Sequence, residues 1–252
     1  MGASISVQGV WKSFNTGDGE VSALEDMSFT VGDGEFVSIV GPSGCGKSTL
    51  LNVLAGFEPA DRGEVLIDGR PILGPSRRGI LITQRGSVFP WMTVRRNLEL
   101  ALNGAPDAER RDTIARHVNL VGLTGFEECY PHELSGGMLQ RVEVARALVA
   151  KPDLLYMDEP FGALDALMRL SVRNELLRIL ARDRRTCLLV THDVEEALHV
   201  ADRVFVMTPR PAKVARVVDV AVPRPRRMSN PELVGLKETI LAELGLSVTD
   251  VA

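Results

Sequence analysis

The segment Gly41-Pro42-Ser43-Gly44-Cys45-Gly46-Lys47-Ser48 constrains this chain more than any other eight residues. It follows a short apolar run, Phe36-Val37-Ser38-Ile39-Val40, and opens a helix over Ser48 to Leu54, with Thr49 next along. An apolar run of that kind is the pattern of a strand buried on both faces of a parallel sheet. The strand–loop–helix order fits G-x-x-x-x-G-K-[ST] at every fixed position. Glycines let successive backbone N–H groups face inward, and a helix N-terminus adds partial positive charge, so the segment is built to cradle phosphate. In that cradle Lys47 reaches the β- and γ-phosphates, and the Ser48 hydroxyl is placed for Mg²⁺. A glycine-rich turn with a stray lysine would lack this strand and helix.

A second glycine-rich turn lies far downstream, at Leu134-Ser135-Gly136-Gly137-Met138. Ser135 is a good N-cap residue, and two glycines keep the turn open to a ligand. Met138, Val142, Ala145 and Val149 then recur at helical spacing, with charged residues between them. Taken alone, such a start is a simple cap. But one nucleotide does not need two cradles from one chain. The economical reading is that two copies share the nucleotide, each supplying a different cradle.

Lys151-Pro152-Asp153 breaks the helix. Leu154-Leu155-Tyr156-Met157-Asp158 follows as an apolar run ending in an acid, and then Glu159-Pro160. Asp158, at a strand's C-terminal end, is placed to act on Mg²⁺ opposite Ser48. Glu159 is the candidate for polarising an attacking water. Two successive acids are ordinarily a solvated turn, but not directly after four buried-looking apolar residues. A third run, Thr186 to Val190, ends in Thr191-His192-Asp193. A lone histidine is more often structural. It gains weight as the third strand end converging on the phosphate side of an open α/β sheet.

Composition narrows the partners. The chain has 252 residues, enough for one large α/β domain, and its formal net charge is −4. That balance argues against nucleic acid, whose binding rests on phosphate neutralisation. The basic clusters, Arg182 to Arg185 and Arg224 to Arg227 among them, read mostly as solvated surface; Arg95-Arg96, following Trp91, is the pair to test as a partner contact. No run of about 18 apolar residues is present, so nothing reads as a membrane span. The expectation is a soluble, cytoplasmic protein that touches a membrane only through a partner. Three scattered cysteines, Cys45, Cys129 and Cys187, show no metal-like spacing. Cys45, near a helix N-terminus, is expected to be alkylated with loss of ATP binding.

In this order, these residues resemble the ATP-binding-cassette ATPases, the nucleotide-binding subunits of ABC transporters. The resemblance covers roughly residues 5 to 225. Gly41 to Ser48 resembles the Walker A loop, Leu134 to Met138 the family signature, and Leu154 to Asp158 the Walker B strand with Glu159 as catalytic carboxylate. Ala163-Leu164-Asp165 is similar to the D-loop, His192 to the switch histidine, and Gln84 to the Q-loop glutamine. Phe14 falls where the family stacks an aromatic on adenine; Trp11 competes, and Phe14 is preferred by position. Val88 to Val94, with its Pro90-Trp91-Met92-Thr93-Val94 stretch, resembles the nitrate/sulfonate/taurine-type importer ATPases. So do Met207 to Pro211 and Val222 to Arg226. Thr83 stands where Phe is common, and Leu139 where Gln is common.

The resemblance implies an α/β fold of the P-loop NTPase class: an ABC-type ATPase with a RecA-like core, an antiparallel β subdomain and a helical subdomain. Residues 1–252 form one ATPase domain, with the helical subdomain at about 85–150 and a C-terminal helical tail at about 228–252. The expected cofactors are ATP and Mg²⁺. Phe14 stacks adenine; the loop amides and Lys47 hold the phosphates; Ser48, Gln84 and Asp158 attend the metal. Glu159 orients water, and His192 steadies the γ-phosphate. Ser135, Gly136 and Gly137 arrive from a second copy in a head-to-tail dimer, and Asp165 links the two sites. Integral membrane permease subunits and a solute-binding protein complete the expected partners. Gln84 to Val94 would line the permease groove, unless Trp91 is a core residue. A soluble ABC ATPase in a non-transport process is the alternative, and a nucleotide-gated module without turnover is a second rival.

Two local readings complete the picture. Gly32-Asp33-Gly34-Glu35 and Asp68-Gly69 read as hairpin turns. Ser229-Asn230-Pro231-Glu232 starts a helix whose stripe Leu233, Leu236, Ile240 and Leu244 serves core or dimer packing.

Overall fold

The computed structural model describes residues 2–17, 19–83, 87–102, 106–162, 164–183 and 185–246. The chain opens with two long strands, β1 (Ile5–Thr16) and β2 (Gly19–Val31). β3 (Phe36–Val40) leads through the glycine-rich loop into α1 (Lys47–Leu54). β4 (Arg62–Ile67), β5 (Arg70–Pro71) and β6 (Gly79–Ile82) follow, then α2 (Val94–Glu99), α3 (Asp107–Leu120) and α4 (Gly136–Val149). The rest alternates: β7 (Leu154–Asp158), α5 (Ala166–Asp183), β8 (Thr186–Val190), α6 (Val194–Val200), β9 (Arg203–Met207), β10 (Val214–Asp219) and α7 (Pro231–Glu243).

These strands form two sheets among the described residues. One is antiparallel, in the order β2-β1-β4-β5; the other runs β10-β9-β3-β8-β7-β6 and is parallel except for β10 at its edge. β3, β7 and β8 are buried at every position, as their unbroken apolar runs require. Their side chains alternate between two cores. Phe36, Val40, Leu155, Met157, Cys187 and Leu189 pack with residues of α4, α5, α6 and α7. Val37, Ile39, Leu154, Tyr156, Leu188 and Val190 pack with α1 and the antiparallel sheet. A third cluster joins Val94, Leu98, Ile114, Val118, Val142, Ala145 and Val149 from α2, α3 and α4.

The register brings the site together. Ile39 and Asp158 both lie opposite Val190, so β3, β7 and β8 end level with one another. In parallel sheets ligands collect at the carboxyl ends of such strands.

Asp68-Gly69 is the expected hairpin: both residues take positive φ, 49° and 73°, between β4 and β5. Residues 32–35 are not a hairpin. They carry the chain out of the antiparallel sheet, where β2 ends, and into the parallel one, where β3 begins. The α7 stripe belongs to the core, with Leu233 and Ile240 fully buried and Leu236 and Leu244 packed alongside.

Candidate active site

The loop above β3 is closed by Gly46, the residue before α1. Its φ is 126°, and a Cβ there would lie 2.9 Å from the Ala23 carbonyl oxygen of β2. Only glycine lets the loop settle this close to the antiparallel sheet. Lys47 is 6 % exposed, and its ammonium donates to the carbonyls of Gly41 at 2.7 Å and Pro42 at 2.8 Å. A cavity of about 430 Å³ opens beside the loop. Ser43, Gly44, Gly46, Lys47, Ser48 and Thr49 line one part of it, and Phe14, Val21 and Ala23 another; Glu159 and Arg210 complete the wall. Phe14 thus has an exposed ring on the cavity. Trp11 is not part of that lining, and its ring lies under the Arg62 guanidinium at 5.9 Å.

Two acids meet the loop from β7. Burial raises the Asp158 carboxyl pKa; a hydrogen bond with Ser48 works against the rise, Glu159 adds to it, and Lys47 lowers it. The Ser48 hydroxyl and the Asp158 carboxyl therefore lie within hydrogen-bonding reach of each other. Glu159 has φ 49°, a conformation that non-glycine residues rarely hold. Its backbone is fixed on three sides. Its N–H donates to the Val190 carbonyl at 2.9 Å, and its carbonyl accepts from Gly162 N–H at 3.2 Å and from Gln140 Nε2 at 3.0 Å. Its Oε1 lies 3.3 Å from His192 Nδ1, at the end of β8.

The second glycine turn starts α4. Ser135 caps it, its hydroxyl accepting from Met138 N–H at 3.3 Å. Ser135 and Gly136 are exposed, and a Cβ on Gly136 would meet nothing within 4 Å. The end of the helix is therefore open to approach. Asp165 caps α5, accepting from Met168 N–H at 3.0 Å. Gln84 lies outside the described residues, and so does Ala163 beside Asp165.

A family model described as "ABC transporter" matches residues 24–162 of the chain. The chain belongs to the ABC transporter family. The cassette is 40 % identical over 240 residues to the aliphatic sulfonates import ATP-binding protein SsuB of Bacillus cereus, covering 95 % of each chain. It is 41 % identical over 251 residues to the nitrate import ATP-binding protein NrtC of Synechococcus elongatus, covering 96 % of this chain and 38 % of that one. Among solved structures it is similar to the dimeric structure of MJ0796, a bacterial ABC transporter cassette. The TM-score is 0.79 at 30 % identity, over 87 % of this chain and 100 % of that one. A dimeric post-hydrolysis state of MJ0796 bound to ADP and Pi matches equally, with TM-score 0.79 at 29 % identity, again over 87 % and 100 %. The chain is an ABC-type ATPase.

The structure overturns one expectation. The Cys45 side chain is turned away from the loop's ligand face; it is 2 % exposed and packed in the core with Leu50 and Met207. An alkylating reagent has no path to it in the folded chain. Trp91 is not core: it is 67 % exposed, with Phe89 beside it at 5.4 Å. Arg95 is paired with Glu128 at 2.5 Å. Two residues of the site escaped the sequence reading. Gln140 sits one helical turn inside α4, where only the fold reveals its reach to Glu159. Arg210 falls in a Pro-Arg-Pro stretch that marked a subfamily and gave no hint of a site.

Proposed function

We propose that the cassette powers a membrane importer as a head-to-tail pair of copies, and that its cargo is a small solute of the nitrate, sulfonate or taurine type. The observation that carries the reading is the meeting of Lys47, Ser48, Asp158, Glu159 and His192 at the level ends of three adjacent strands. Import and the cargo class are supported by the similarity to the import proteins SsuB and NrtC, and pairing by the dimeric MJ0796 structures. The partners would be permease subunits and, through the complex, a solute-binding protein, with the cassette peripheral on the cytoplasmic face. Residues 1–252 would act as one ATPase domain, with a helical subdomain at about 85–150 and a tail at about 228–252.

The reaction is phosphoryl transfer from ATP to water, in which positioning and charge neutralisation do most of the catalysis. Phe14 stacks adenine, and the loop amides with Lys47 hold the phosphates. The Ser48 hydroxyl and the Asp158 carboxylate are adjacent oxygen donors of the kind Mg²⁺ takes together with phosphate oxygens and water. They would hold the ion, with Gln84 as a further ligand, and the ion would offset phosphate charge. Glu159 accepts a hydrogen bond from the attacking water and orients it. His192 steadies the γ-phosphate. Ser135, Gly136 and Gly137 of the second copy close the site, and Asp165 links the two halves.

The test is size-exclusion chromatography of Glu159→Gln with and without ATP. Loss of the base should slow turnover about 10²–10⁴-fold while ATP still binds. The variant should therefore elute as a dimer only with ATP, Ser135→Arg should abolish the dimer, and Lys47→Ala should abolish binding. Wild-type turnover by Glu159→Gln would remove the base assignment. A Glu159→Gln monomer with ATP bound, persisting when the permease is added, would remove the pairing.

A further inference from the structure

Arg210 stands in the wall of the same cavity as Lys47 and Ser48. Its position is set from two sides. β9 ends with Met207 against the start of the phosphate loop, where a Cβ on Gly41 would lie 3.1 Å from the Met207 Cβ. The chain then turns through residues 208–213. Thr208 closes this turn: its N–H donates to the Lys213 carbonyl at 3.0 Å, and its hydroxyl accepts from Lys213 N–H at 2.9 Å. The turn is also tied to β2. Ala212 N–H donates to the Ala23 carbonyl and Glu25 N–H to the Ala212 carbonyl, both at 3.0 Å. Ala23 itself lines the cavity. Arg210 is thus carried by a fixed turn.

From there its Nε donates to the Gly44 carbonyl at 2.7 Å, and Nη2 reaches the same oxygen. A Cβ at position 44 would come within 3.2 Å of Nη2, a tight contact that glycine spares the arginine. A carbonyl oxygen takes two donors and neutralises none of the charge. A guanidinium has five N–H donors, so others remain for a ligand in the cavity it lines. Among the residues lining that cavity Lys47 and Arg210 are the two cations, and Glu159 is the acid.

We propose that Arg210 holds the nucleotide's phosphates, bracing the loop through the Gly44 carbonyl and supplying a second fixed cation beside Lys47. This rests on the reading of residues 41–48 as the nucleotide cradle. Arginine suits the task because its planar fork can serve a carbonyl and a phosphate oxygen at once.

The test is equilibrium binding of fluorescent ATP, ADP and AMP analogues to the full chain, with thermal melting as a check on folding. Arg210→Gln keeps an N–H donor for Gly44 and loses the charge. Arg210→Lys keeps the charge and loses the fork. Arg210→Ala loses both. Arg210→Gln and Arg210→Ala should each weaken ATP about tenfold, ADP less and AMP by no more than about twofold, while Arg210→Lys keeps most of the affinity. Added salt should narrow the gap between wild type and Arg210→Gln. ATP affinity within about twofold of wild type in both neutral variants would overturn the proposal. So would an equal loss for all three nucleotides, which would leave Arg210 a brace of the loop alone. If Arg210→Ala does not fold, Arg210→Gln carries the test. A wild type that binds no nucleotide would overturn the cradle reading, and this proposal with it.

Discussion

Arg226 shows how far a residue can stand from its sequence context. Arg224 to Arg227 reads as solvated surface, yet Arg226 is 6 % exposed. Its guanidinium serves the carbonyls of Leu198, Ala201, Val220 and Val222. Burial lowers its pKa to about 10, with Arg224 nearby adding to the fall, so it stays protonated at neutral pH. Arg226→Met fills similar space but leaves those carbonyls without donors. It should cost about 3 kcal/mol or more in urea unfolding, with Arg226→Lys losing less. His199 feels the same concentration of charge. Burial, then Arg173, Arg226 and Arg224, depress its pKa from 6.5 to about 4. The unfolded chain therefore takes up a proton that the folded chain refuses. His199 costs nothing above pH 6.5, and stability is lost as pH falls from there toward 4. His199→Gln should flatten that part of the melting temperature's pH dependence; an unchanged slope would refute the assignment. Neither environment is legible in the sequence, because the surrounding carbonyls and arginines come from separate elements. Lys47, Ser48, Asp158 and Glu159 were legible because each sits at a fixed offset from an apolar run.

The strands divide along similar lines. β3, β7 and β8 could be read from sequence because burial on both faces leaves an unbroken apolar run. β1 runs from Ile5 to Thr16. Its pairing with β2 shifts register between Val7 and Ser13, which destroys the alternation that would have revealed the second half. Residues 32–35 have the composition of a hairpin turn. Which sheet the next strand joins is decided by long-range packing, and there the local signal misled. Tyr156 makes an equally distant tie. From the middle of β7 its hydroxyl donates to the Leu54 carbonyl at 3.0 Å, at the C-terminal end of α1. That bond fixes the far end of the helix whose near end carries Lys47. Tyr156→Phe should cost about 1–2 kcal/mol in stability, since it leaves a buried carbonyl unmet. It should also raise the KM for ATP more than it lowers kcat. An unchanged KM would mean that α1 is held by packing alone.

Across the whole molecule, α4 packs on the parallel sheet through Val144, Ala147 and Leu148, and it also ties the helical cluster to Glu159. Ser135 opens α4, Gln140 lies on the same helix, and its amide holds the carbonyl of Glu159. In the proposed head-to-tail pair, the end of α4 would touch the nucleotide cradled by the other copy. Its middle, through Gln140, would steady the acid beside the nucleotide cradled by its own. Gln140→Leu should therefore leave single-site ATP affinity unchanged, lower kcat about tenfold, and bring the Hill coefficient for ATP down toward one. A variant with wild-type cooperativity would show that α4 moves without disturbing Glu159. Such a contact obeys reciprocity. If one nucleotide draws α4 into the geometry that suits the other site's acid, an acid correctly set in that site must raise affinity for the first nucleotide by the same factor. The two ATP molecules would then answer to a single equilibrium, with the Gln140 amide as the joint through which each feels the other.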